Sequence, residues 1–143
     1  VEVTLAMSVA VFCLLGIFGL LPIGLNSNKT AIEQTAAAGV ATSIASDLWQ
    51  SPTVATSPRF SFSRTSTAMQ TVFIGEDGGK VAAAADARFR VSVWCNPPSI
   101  ATYKTATSAR IMITWPPLAD ANAASTPSKY SGSFETVISL DRN

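Results

Sequence analysis

Residues 1–29 read VEVTLAMSVAVFCLLGIFGLLPIGLNSNK, and between Glu2 and Lys29 there is no charged residue. Val3–Leu25 is a 23-residue apolar run holding Leu5, Val9, Val11, Phe12, Leu14, Leu15, Ile17, Phe18, Leu20, Leu21 and Ile23. A helix crosses a bilayer core with about 20 such residues, so this run is long enough with some tilt. The other 118 residues carry nearly all the charge and alternate apolar with polar, as a water-soluble domain does. The chain therefore reads as a greasy stem (residues 1–25) joined to a small head.

Three readings of the stem compete. A secretory signal peptide carries basic residues before a shorter apolar core, whereas here an acid stands before the run. A buried core helix does not fit, because so small a head cannot wrap every side of it. A plain single-pass anchor tolerates almost any apolar sequence and stays open. What sets this stem apart is Glu2 and the pattern after Leu25.

From Asn26 to Gln50 the chain turns amphipathic. Ile32, Ala36, Val40, Ile44 and Leu48 recur every four residues, beside Ala37, Ala41 and Ala45. The pattern predicts that residues 26–50 continue the same helix, with this stripe docked on the head. Ser51-Pro52 ends it, since the residue before proline is pushed out of the helical region. The stem would then project. Gly16, Gly19, Pro22 and Gly24 predict a kink or a locally unwound turn, because proline removes a backbone donor and clashes with the preceding turn.

Residues 51–87 read as a connecting region with a short hairpin, Thr71–Ile74 and Lys80-Val81 around Glu76-Asp77-Gly78-Gly79. The acidic pair is read as turn chemistry rather than a calcium site, which needs six to eight oxygens. Residues 82–87 receive no assignment. Residues 88–143 hold three period-two segments. Phe89, Val91, Val93 and Cys95 share one face against Arg88, Arg90, Ser92 and Trp94. Ile111, Ile113 and Trp115 oppose Arg110, Met112 and Thr114, and Phe134, Ile138 and Leu140 oppose Glu135, Val137 and Asp141. Asn96-Pro97-Pro98 and Pro116-Pro117 close the first two strands. The expected fold class is α+β: a long N-terminal helix whose amphipathic half packs on an antiparallel sheet. Arg90, Arg110 and Glu135 are expected on its outer, polar face.

Chemistry is sparse. Histidine is absent, which removes imidazole acid–base catalysis and histidine metal sites. No nucleophile elbow, phosphate loop, dinucleotide fingerprint or metal motif occurs. Two cysteines, Cys13 and Cys95, give neither a disulfide framework nor a CxxC site and read as packing groups. With ten basic and nine acidic residues, no net field points to nucleic acid. Asn28-Lys29-Thr30 matches a glycan sequon, a pattern common by chance. Trp94 with Arg88 or Arg90 could form a surface aromatic–cation contact or a subunit contact. The expectation is no enzyme, no catalytic residue, no cofactor and no metal.

Glu2 is out of place. On a soluble helix an acid in the first turn is worth about 0.3–1 kcal/mol against the dipole. At the tip of an uncharged stem, a carboxylate in apolar surroundings needs a cationic partner. No Lys or Arg precedes Lys29, so the partner is another chain, the N-terminal amine or a lipid headgroup.

Val1-Glu2-Val3-Thr4-Leu5-Ala6, running into an apolar helix, resembles the start of type IV pilins and type II secretion pseudopilins. The resemblance covers about the first 25 residues; the head matches in architecture alone. It implies a pilin-like subunit of a bacterial extracellular type IV pilus-like filament, held in the inner membrane before assembly. It also implies a methylated N-terminus, a prepilin peptidase, an assembly platform with a cytoplasmic ATPase, and identical subunits as partners. Glu2 then pairs with the N-terminal amine of a neighbour, Val1 belongs to the same assembly site, and Leu5, Val9, Phe12, Leu15, Phe18 and Leu21 form the filament core. Fewer residues precede the glutamate than in family members, so further mature residues and a leader are expected upstream. The cysteine loop of many major pilins is missing, which keeps a minor pseudopilin as an alternative, beside a non-polymerising membrane-anchored domain.

Overall fold

The computed structural model describes residues 2–51, 56–97, 106–119 and 130–140. Helix α1 runs Glu2–Gln50 and is followed by five strands: β1 (Gln70–Ile74), β2 (Lys80–Val81), β3 (Phe89–Asn96), β4 (Thr107–Trp115) and β5 (Gly132–Leu140). They form one sheet in the order β2-β1-β3-β4-β5 with every pair antiparallel. The fold is α+β, a long apolar N-terminal helix and an antiparallel sheet. The chain divides into two compact units, Val1–Glu33 and Gln34–Asn143.

The second unit is built around one sheet face. Val72 and Ile74 of β1 lie in register beside Val91 and Phe89 of β3, and Val91 and Val93 beside Ile113 and Ile111 of β4. All seven are buried, together with Cys95, Ala109, Trp115 and Leu140. From the helix come Ala37, Ala41, Ile44, Ala45 and Leu48, and from the loop before β1 come Phe60 and Phe62. The small alanines let the helix backbone approach a sheet whose bulk comes from branched side chains.

The expected helix stripe needs correction. Ile32 is 55% exposed, and Ala36 and Val40 are only partly buried. A strict four-residue spacing advances 400° per step rather than 360°, so from Ile32 to Leu48 it winds about 160° round the helix. The face that stays on the sheet uses mixed steps of four and three, through positions 37, 41, 44, 45 and 48.

The outer sheet face also departs from expectation. Arg110 and Glu135 are exposed, but Arg90, Ser92, Met112 and Thr114 are buried. Phe73, Trp94 and Met112 give that face apolar bulk, and the Arg90 guanidinium lies 5.9 Å from the Phe73 ring centre. Asp141 and Pro98 lie outside the described residues.

The hairpin forms as read. Gly78 sits at φ +73°, Gly75 N–H donates to the Gly79 carbonyl at 2.9 Å, and Asp77 Oδ1 accepts from Gly79 N–H at 2.9 Å. This is an aspartate-anchored turn that requires a left-handed residue. The unassigned stretch holds a single 3-10 turn, Ala84–Asp86.

Candidate assembly surface

The stem residues are all exposed within the chain: Leu5 68%, Val9 58%, Phe12 79%, Leu15 66%, Phe18 66% and Leu21 49%. Helix α1 is long and apolar enough to cross a membrane. Two of its hydroxyls are answered within the helix, Ser8 Oγ donating to the Thr4 carbonyl at 2.8 Å and Thr30 Oγ1 to the Asn26 carbonyl at 3.1 Å. Such back-bonding leaves these side chains asking nothing of water.

Glu2 occupies the first turn of α1 and is exposed; Val1 lies outside the described residues. Among the described residues no ion pair engages Glu2; the pair present is Arg110–Glu135. The helix continues through Gly16, Gly19, Pro22 and Gly24, where a kink or a locally unwound turn is expected. Pro22 still has no N–H to give the Phe18 carbonyl. A methyl group added at Gly16, Gly19 or Gly24 would meet nothing within 4 Å, so within the chain these positions are bare.

Besides Arg90, sequence reading missed two further buried charges in the second unit. Asp47, 5% exposed, accepts from the backbone N–H of Arg59 at 2.9 Å and of Phe60 at 3.0 Å. Arg64, 7% exposed, donates from Nη1 to the Ser51 carbonyl at 2.9 Å, just beyond the end of α1. The helix lends an anion to the loop's N–H donors, and the loop lends a cation to the Ser51 carbonyl just past the helix. Each group suits its partners, a carboxylate accepting from N–H donors and a guanidinium donating to a carbonyl. By spacing, Asp47 reads with Glu33, Gln34, Thr42 and Ser46 on faces away from the stripe, and its burial corrects that.

Arg110 and Glu135 form a two-pronged pair, Nε to Oε1 at 2.6 Å and Nη2 to Oε2 at 3.0 Å. The hydrogen bond from Arg110 holds the Glu135 carboxyl below its ordinary value. The guanidinium of Arg110 also lies 5.3 Å from the Trp94 ring centre, so the cation on Trp94 is Arg110. Arg88 stacks on Phe89 and Arg90 on Phe73 instead. The contacts of Arg110 and Arg90 are made across strands, between register partners, while Arg88 takes its neighbour along the chain. Burial pushes the Cys95 thiol upward, with the charge of Arg64 pulling partly back; it is a packing group rather than a nucleophile.

No family model, no curated protein and no solved structure matches the chain. The long N-terminal helix and antiparallel sheet are compatible with a pilin-like architecture.

Proposed function

We propose that the protein is a structural subunit of a type IV pilus-like helical filament. Stems wait in the inner membrane and pack together in the fibre core, each Glu2 neutralised by the N-terminal amine of a neighbour. One observation carries the reading. The carboxylate of Glu2 directly precedes 23 helix residues, Val3–Leu25, that are all uncharged and exposed.

The magnitudes support it. At about 1.5–3 kcal/mol for each buried large apolar side chain, the eleven named stem residues disfavour water by roughly 15–30 kcal/mol. Only a bilayer or a bundle of stems is dry enough. Moving between those two gains almost nothing hydrophobically, since lipid is as apolar as leucine. Close packing and the neutralisation of Glu2 therefore decide assembly, and extraction from the membrane is assigned to an energy-driven machine.

Glu2→Ala in a cell that assembles the fibre is the test, read by electron microscopy of sheared surface material and mass spectrometry of the N-terminus. Filaments fall sharply while membrane insertion and the head fold persist. Variant filaments as abundant as wild type overturn the pairing. A membrane protein that never polymerises returns the reading to a simple anchor.

A further inference from the structure

We infer that the outer edge of β5 is a self-pairing surface, on which β5 of a second copy adds antiparallel, centred on Thr136. Strand β5 ends the sheet and pairs with Thr107–Trp115 of β4 over nine consecutive residues without a bulge. Trp49 Nε1 donates to the Ser139 carbonyl at 3.2 Å. That carbonyl therefore faces away from β4. Backbone groups alternate sides along an antiparallel strand, so Ser133, Glu135 and Val137 also turn their N–H and C=O outward. Among the described residues nothing pairs with these three.

Natural sheets blunt such edges with proline, lysine, bulges or short strands. Gly132–Leu140 has none of these, and its one charge, Glu135, is already tied to Arg110. Val137, on the same edge, is 63% exposed.

The occupant follows from register. A two-fold axis at Thr136 sets Glu135 opposite Val137 of the second copy, covers both valines and leaves the two carboxylates diagonal. Centring on Glu135 would oppose like charges. Centring on Val137 would leave Gly132 and Ser133 outside the overlap, whereas the Thr136 centre uses the whole of Gly132–Leu140. The sheet's other edge offers no equivalent, because β2 covers β1 at Phe73 and Ile74. Pairing therefore closes as a dimer rather than running on. One edge strand buries little area, so the contact is weak in dilute solution and grows where copies are concentrated. The inference involves neither Glu2 nor the stem and stands apart from the filament reading.

The test uses the full chain in detergent with Cys13→Ser. In the proposed register, Thr136 faces its own copy in a non-hydrogen-bonded pair, with Cα atoms about 4.5 Å apart, within disulfide reach. Thr136→Cys gives a disulfide dimer on mild oxidation, Ser133→Cys does not, and adding Val137→Lys to Thr136→Cys abolishes the dimer while circular dichroism stays unchanged. If Val137→Lys disturbs the fold, Val137→Pro replaces it, since its missing N–H faces outward. Adding Glu2→Ala to Thr136→Cys leaves the crosslink intact. A Thr136→Cys yield no higher than that of Ser133→Cys, or a crosslink that survives the edge-blocking change, overturns the inference.

Discussion

Asp47→Ala tests the joint between α1 and the loop before β1. The change removes both acceptors from the N–H groups of Arg59 and Phe60, at 2.9 and 3.0 Å. The Phe60 donor is buried and is left bare, at about 1–3 kcal/mol. The Arg59 donor is partly buried, so water replaces some of its bond, and its loss counts for less. Two effects oppose. Alanine is the better helix former by roughly half a kcal/mol, and removing an anion from the last turn relieves about 0.3–1 kcal/mol of unfavourable dipole interaction. The hydrogen bonds win, by about 2 kcal/mol net. For a folded unit of this size that lowers the melting temperature by about 8 °C. Asp47→Asn keeps one acceptor and falls about halfway. The assay is thermal unfolding of the detergent-solubilised chain, followed by tryptophan fluorescence and circular dichroism. A melting temperature for Asp47→Ala equal to wild type would refute the reasoning. So would an asparagine variant as damaged as the alanine one.

Three further outcomes are expected. A Cβ at Gly132 would run into the Trp115 indole, its register partner; Gly132→Ala therefore destabilises by about 1–3 kcal/mol and changes Trp115 emission, and an unchanged spectrum and stability would count against that packing. Because Arg110 depresses the Glu135 carboxyl, the pair's contribution is fully present above the unfolded carboxylate value of about 4.3 and is lost as pH falls through the lower folded value. The stability gap between wild type and Glu135→Gln is then small at neutral pH, smaller in high salt, and closed in strong acid; a gap that widens on acidification contradicts the sign. Cys95, buried with its thiol pushed upward, resists alkylation until the chain is denatured, which mass spectrometry reads directly; rapid labelling of the native protein refutes its burial.

The stem, the helix end at Gln50, the hairpin and the three long strands are legible in the sequence, because each rests on a period or a breaker that acts locally. Proline after Asn96 and Trp115 stops β3 and β4 where their N–H groups would be needed. What escapes is set by neighbours distant in sequence. The helix stripe misleads because equal spacing is not equal direction, which leaves Ile32 in the open. Arg90 looks like a surface cation until Phe73 arrives from another strand. Asp47 and Arg64 look like solvated charges until the loop folds back on the helix. Glu2 is conspicuous in the sequence, and among the described residues no ion pair engages it.

Asp47 and Arg64 fasten one joint without touching as a pair; each is met by main chain. Exchanging the two signs would restore nothing, for the amide groups they address cannot change polarity. Every substitution at either position is thus judged alone against a fixed scaffold. The two sites would drift without correlation across related sequences, although they guard a common hinge.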